Sequence, residues 1–194
     1  MSDNKYIVII RGLSGSGKTT LAQLICGALE FDDEKRVAVS ADDFFIDDKG
    51  NYVFEYEKLS EAHDWCKAEV ESCAKEGFNV IVVHNNFTKR WEVSPYIEIA
   101  QKNGYRVHVV NLYDNGLNDS QLAERCCHNI PINSISSQRE RWELDAFRGT
   151  RSFKSRPQQH FGFDNSQEFN KNRAYNNFGN RDFQHRNRFN NGSR

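Results

Sequence analysis

Along the first three quarters of the chain, compact apolar runs alternate with apolar residues at helical spacing. Lys5 to Arg11 ("KYIVIIR") is rich in Ile and Val, the pattern of a strand buried on both faces. Behind it, Leu21, Leu24, Ile25, Ala28 and Leu29 recur on one face of a helix predicted over Gly17–Leu29. Val37–Ser40 predicts a second short strand closed by "ADD", and "DDKGN" at 47–51 has the composition of a turn. A helix over Leu59–Glu76 ends at Gly77, "NVIVV" at 79–83 is the third strand, and a helix over Val93–Asn103 ends at Gly104. "YRVHVVNLY" is the fourth strand. A helix-like segment follows at Ser120–Cys127, then a break at "NIP" and a last helix from Ile132 to about Phe147. Strands alternating with helices imply an α/β fold: a parallel sheet with helices on both faces.

Past Arg148 the pattern stops. No Leu, Ile, Val or Met occurs from 148 to 194; nine Asn, four Gln, seven Phe and Tyr175 are mixed with ten Lys/Arg and three Asp/Glu. So little aliphatic surface cannot offset the entropy of ordering, so residues 148–194 are expected to be a disordered tail and residues 1–147 the domain. The net charge of −1 over 194 residues therefore averages two opposite parts, a tail at +7 and a body at −8. A basic tail on an acidic body suggests that the tail is the part built to meet a polyanion.

The cysteines, Cys26, Cys66, Cys73, Cys126 and Cys127, are odd in number and show no C-x-x-C spacing. That pattern argues for free thiols in a reducing compartment, against a disulfide frame or a zinc site. The apolar run after Lys5 is too short for a secretion signal, and no stretch approaches the ~20 apolar residues of a membrane span. The expected location is intracellular, cytoplasmic or nuclear, with no membrane partner and no compact basic run to favour the nucleus.

Between the first strand and the first helix lies "RGLSGSGKTT". Gly12, Gly17, Lys18 and Thr19 complete G-x-x-x-x-G-K-[ST]. Glycines at this spacing let the backbone curl until its N–H groups aim at phosphate oxygens, and the helix that follows adds its positive end. Gly12, Ser14, Gly15, Ser16, Gly17, Lys18, Thr19 and Thr20 are the candidate nucleotide-binding residues. Lys18 would reach the β- and γ-phosphates of ATP, and the Thr19 hydroxyl would bind Mg²⁺.

"SADDFF" (40–45) closes the second strand. In a parallel sheet the strand C-terminal ends line one crevice, so Asp42 and Asp43 are expected to face Lys18. A carboxylate there can take the proton of an attacking hydroxyl. Aspartates are equally common as turn and cap residues, so residue type alone leaves both readings open.

"RGLSGSGKTTLAQ", "SADDFF", "LSEAHDW", "VIVVHNNFTKRWEVSPYIEIAQKNGYRV" and "LAERCCHNIP", in this order, resemble the P-loop polynucleotide 5′-kinase superfamily, most nearly its NEDD-four-binding-protein-two-like kinase modules. The resemblance runs from residue 5 to about 147. It implies a P-loop NTPase-type sheet with a helical lid, and transfer of the ATP γ-phosphate to a 5′-hydroxyl of RNA or DNA. It also implies Asp42 as general base, Asp43 in support, and Arg125 as a lid arginine over the donor phosphates. Mg²⁺ would rest on Thr19, with waters held by Asp42. His63 and Trp65 match positions expected to pack on the acceptor side. Two departures stand out. Relatives carry an aspartate where this chain has His84, which removes a negative charge and would add a positive one if protonated. The phage RNA-repair kinase that typifies the superfamily has an arginine at the position of Phe45, an aromatic in the nearer relatives.

Arg125, by composition alone, is equally an ordinary solvated helix charge; His128 could join it in the lid, though such a histidine is more often a polar loop residue. The tail's interleaved arginines and aromatics suit single-stranded nucleic acid, where cations meet phosphates and rings stack on bases. They equally suit a solubilising low-complexity segment. Two other functions share the fold: a small-molecule or nucleoside kinase, and a nucleotide-binding interaction protein whose chemistry has decayed at His84.

Overall fold

The computed structural model describes residues 5–27 and 35–143. Strands β1 (Tyr6–Gly12), β2 (Arg36–Val39), β3 (Val80–Asn85) and β4 (Arg106–Tyr113) form a parallel sheet in the order β2-β3-β1-β4. Around them lie α1 (Lys18–Gly27), α2 (Leu59–Lys75), α3 (Arg90–Lys102), α4 (Asp119–Arg125) and α5 (Ile132–Glu140).

Successive strand residues point to opposite faces, and two apolar layers follow that alternation. Ile7, Ile9, Val39, Ile81 and Val83 pack with Ala62, Cys66 and Val70 of α2 and with Val93, Tyr96 and Ala100 of α3. Ile10 and Val82, with Val8, Ala38 and Val110 beside them, pack on Ala22, Leu21 and Ile25 of α1. Each fully buried Ile or Val side chain contributes about 1.5–3 kcal/mol by leaving water. A third cluster, Leu13, Leu122, Ile135 and Trp142, ties α4 and α5 to the loop after β1. The expected α/β sheet, helices on both faces and small helical cap are all present.

The same alternation decides what the end of β3 does. His84 shares the face of Val82, towards α1, and Asn85 shares the face of Val83, towards α2. Gly77 and Gly104 end α2 and α3 with φ of 79° and 75°, values that side-chain-bearing residues rarely adopt.

Three expectations need correction. Leu24 is 61% exposed, because Ala22 rather than Leu24 fills the α1 contact with the sheet. The helix expected over Ser120–Cys127 ends at Arg125, and Cys126 is extended (φ −73°, ψ 123°). The last helix ends at Glu140, well before residue 147. There the chain turns so that Trp142 covers the buried Arg11 guanidinium at 4.2 Å, and the Glu143 N–H donates to the Thr88 carbonyl at 2.9 Å. Ala28 and Leu29 of the expected first helix, the 147/148 boundary and the whole tail lie outside the described residues.

Candidate active site

The loop from Gly12 to Gly17 is a turn imposed by its glycines and gripped from outside. Gly15 and Gly17 have φ of 79° and 97°. A Cβ at Gly12 would stand 2.5 Å from Ser16 Oγ, and one at Gly15 would strike the backbone carbonyl of Leu122 in α4. The Gly12 N–H donates to the Asn86 carbonyl (3.1 Å) and the Leu13 N–H to the Tyr113 carbonyl (2.8 Å). Ser14 is buried. Its N–H donates to Gln138 Oε1 and its hydroxyl accepts from Gln138 Nε2, both at 3.0 Å. Ser14 therefore supports the loop from α5, its N–H turned to protein. Ser16 is buried as well, and its N–H closes the turn on the Leu13 carbonyl (3.1 Å).

Beyond the loop, Lys18, Thr19 and Thr20 open α1, where the first N–H groups have no partner within the helix and the helix carries its positive end. Lys18 Nζ donates to the Leu13 carbonyl at 2.9 Å, which arches the side chain back over the loop. Burial lowers the Lys18 ammonium to about 8, opposed by the charges of Asp42, Cys126 and Cys127. The positive-φ glycines, the helix end and the arched lysine fit the β- and γ-phosphates of a nucleotide, with Thr19 exposed beside them. Among the described residues no group of three His, Cys, Asp or Glu could hold a metal ion.

"SADDFF" resolves into a 3₁₀ turn, Ala41–Phe45, capped by Ser40. The two aspartates part company here. Asp43 turns back as the cap and accepts from the Ser40 N–H at 2.8 Å. Asp42 is exposed, accepts a hydrogen bond from the Tyr52 hydroxyl at 3.3 Å, and is the first charge felt by Lys18. Asp43 is the cap, and Asp42 is left free of it, exposed and acting on Lys18 through its charge. Asn85 sets this turn in place: its Oδ1 accepts from the Ala41 N–H (2.8 Å) and the Ser40 hydroxyl (3.2 Å).

His84 lies buried on the α1 face of β3, where Lys18 and Asp42 are the charges that act on it. Burial first, then Lys18, lowers its imidazolium to about 4. The positive charge that protonation would bring is therefore disfavoured at neutral pH, which makes His84 a neutral ring beside the phosphate loop.

The structure also brings in Tyr52, which sequence reading passed over, and gives His128 a place beside it. The turn at 47–51 folds Tyr52 back beside Ile46, so that its hydroxyl reaches Asp42. The Tyr52 ring meets the His128 ring at 4.0 Å between centroids. His128 is raised by its hydrogen bond to Cys127 and, less, by Asp42, while Lys18 opposes the rise. The segment after α4 thus returns to the crevice at Cys126–His128. Arg125 itself is exposed on the last turn of α4. His63 is exposed on α2 near Tyr56, Leu59 and Ser60, and Trp65 is half-buried against Phe44 (6.1 Å). α5 is fastened to the α4 entry by Arg139, which donates to Asp114, Asp119 and the Leu117 carbonyl.

A phosphate loop at the end of a central parallel strand, with strand ends forming one crevice, defines a nucleotide-binding, kinase-like P-loop fold. Residues 7–125 match the model of the AAA_33 family, described as an AAA domain, and the chain belongs to that P-loop family, which takes in polynucleotide kinase-like domains. Over 101 residues it is 35% identical to human NEDD4-binding protein 2, a stretch that is 52% of this chain and 5% of that protein. The chain therefore corresponds to about a twentieth of the relative's length. A solved chain in the Pnkp1/Rnl/Hen1 RNA repair complex shares the fold, with a TM-score of 0.53 at 20% identity over 71% of this chain and 44% of that one. No helix among the described residues is long and apolar enough to cross a membrane.

Proposed function

We propose that this chain is an ATP-dependent kinase that phosphorylates the 5′-hydroxyl of a single-stranded polynucleotide. The reading is supported by the buried Lys18 ammonium, bonded to the Leu13 carbonyl over the loop, on which the exposed Asp42 carboxylate is the leading charge. The phosphate loop and Lys18 hold the donor's β- and γ-phosphates; the Thr19 hydroxyl would hold Mg²⁺, which would neutralise part of their charge. Asp42, its Oδ1 oriented by Tyr52, takes the proton of the acceptor hydroxyl as that oxygen bonds to phosphorus and the bond to the β-phosphate oxygen breaks. Arg125 on the α4 cap supplies positive charge to the phosphates in transfer. The polynucleotide kinase likeness of the sequence motifs, and a tail that mixes arginine with aromatics, support a nucleic-acid acceptor. Five free cysteines support a reducing compartment, cytoplasm or nucleus.

Transfer from γ-labelled ATP to a 5′-hydroxyl oligonucleotide tests the reading. Asp42→Asn should lower transfer about 10²- to 10⁴-fold, the range of general-base catalysis, while ATP binding persists. Wild-type transfer that survives this substitution undoes the base assignment, and a nucleoside phosphorylated in preference to every oligonucleotide moves the acceptor to small molecules. The neutral ring of His84 favours a second reading, a nucleotide binder without transfer. A silent wild type that gains transfer on His84→Asp would establish it.

A further inference from the structure

Between the 3₁₀ turn that carries Asp42 and the start of α2, the chain exposes aromatic surface that neither the core nor the phosphate loop uses. Phe54 is 49% exposed and Tyr56 74%, with Val53 beside them at 52%. The rings are not loose. Phe54 rests on the buried Phe45 ring at 4.9 Å and lies nearly parallel to Tyr52, 13° apart with centroids at 6.4 Å. Tyr52 in turn is the residue whose hydroxyl meets Asp42. An aromatic strip thus leads outward from the proposed base, through Tyr52 and Phe54, to Tyr56 in the shallow groove shared with Leu59, Ser60 and His63.

The charge around this strip limits how a strand can lie on it. From Asp42 to Glu61 there are seven acidic residues and two lysines, and Lys58 is paired with Glu55 at 2.8 Å. Phosphates laid here would be repelled, so a strand can use this strip only through its uncharged base faces, with its backbone turned out to solvent. Four residues of extended chain, Tyr52 to Tyr56, span at most about 14 Å, room for a few stacked bases.

We propose that Phe54 and Tyr56 form a stacking platform for the first bases of the acceptor strand, holding its 5′-hydroxyl at Asp42. This rests on the polynucleotide kinase reading and sharpens it: the acceptor is an unpaired 5′ end, recognised by base faces with little sequence preference. Each stack lost should cost about 5- to 150-fold in affinity, the equivalent of ~1–3 kcal/mol per base.

The test uses the full 194-residue chain. Labelled-ATP transfer is measured on 5′-hydroxyl thymidine oligomers of increasing length, alongside fluorescence of a 2-aminopurine placed as the first base, which is quenched on stacking. Tyr56→Ala and Phe54→Ala should raise KM for the oligomers with far smaller changes in kcat, and should relieve the quenching. Tyr56→Phe and Phe54→Trp, which keep a ring, should restore both. Because Tyr56 lies mostly in solvent, its substitution separates stacking from folding. Quenching in wild type that Tyr56→Ala abolishes supports the platform even if no phosphate is transferred, in which case the kinase reading alone falls. Oligomer KM and quenching unchanged in the Phe54→Ala/Tyr56→Ala variant overturn the platform whether or not transfer occurs.

Discussion

Gln138 is the substitution at which fold and function separate most sharply. It stands on α5, 124 residues from Ser14, yet both of its amide atoms are spent on that residue at 3.0 Å. Gln138→Ala leaves the Ser14 N–H without a partner in a buried setting and leaves the Ser14 hydroxyl with only Asn86 Nδ2 at 3.5 Å. A buried donor stranded in this way costs about 1–3 kcal/mol, and the lost packing of the side chain adds about 1 kcal/mol. At about 4 °C of melting temperature per kcal/mol for a domain of this size, Tm should fall by about 8–15 °C. Because the released segment is the phosphate loop itself, ATP affinity should weaken by about tenfold or more, measured by calorimetric titration at a temperature where the variant is still folded. Ser14→Ala removes the hydroxyl bond but keeps the N–H bond, so a double-mutant cycle should give a coupling of about 1 kcal/mol between the two positions. Additive effects, or an unchanged ATP affinity in folded Gln138→Ala, would refute the claim that α5 holds the loop.

Three further outcomes follow from the same geometry. Gly15→Ala must take a left-handed φ and drive a methyl into the Leu122 backbone, with 2.9 Å to its carbonyl carbon. The cost should be about 2–5 kcal/mol, read as a lowered Tm, and a stable Gly15→Ala protein would mean that α4 does not bear on the loop. Burial lowers Lys18 to about 8, so the free protein loses that positive charge as pH rises through 8, and phosphate binding must restore its proton. Pyrophosphate affinity should therefore fall between pH 7.5 and 9.5, with proton uptake visible in calorimetry in buffers of different ionisation enthalpy; a flat profile contradicts the burial of Lys18. His84 has the depressed-histidine sign: between pH 6.5 and about 4 the unfolded chain binds a proton that the folded chain refuses, so stability falls as pH drops through that window. His84→Gln should lessen the acid loss by up to about 3 kcal/mol in urea titrations at pH 4.5 and 7, and an unchanged slope would count against a buried neutral ring.

What could be read in advance was what is local or periodic. The phosphate loop is a backbone motif whose glycines act within six residues, so composition and spacing sufficed. The two-residue alternation of the strands sorted the core into its two layers, and it also sends His84 to the α1 side and Asn85 to the α2 side. Asp42 was expected in the crevice because strand ends share one edge of a parallel sheet, a rule of topology. The division of labour between Asp42 and Asp43 was legible too, in the capping-box spacing of Ser40 and Asp43, but that signal belongs to helix starts and was masked by the strand that precedes it. Tyr52 was half legible: a turn at 47–51 must bring residue 52 back beside residue 46, and so near residue 42.

The remainder depends on pairs that no local pattern announces. Arg11 reads as a strand's polar end, yet it is 1% exposed, stacked under Trp142 and bonded to the Phe87 and Thr88 carbonyls. That pairing stops α5 at Glu140, because Trp142 can cover the guanidinium only if the helix has already turned. The same turn leaves Gln138 in the last ordered turns of α5, facing Ser14, and Arg139 facing Asp114 and Asp119. Arg11 and Gln138 therefore act on the phosphate loop as one unit: the first fixes where α5 ends, and the second uses that end to hold the loop from behind. The residues that touch a nucleotide are legible because their chemistry demands fixed types at fixed spacing. Those that hold the loop in shape need only meet in space, and that meeting is visible only in the fold.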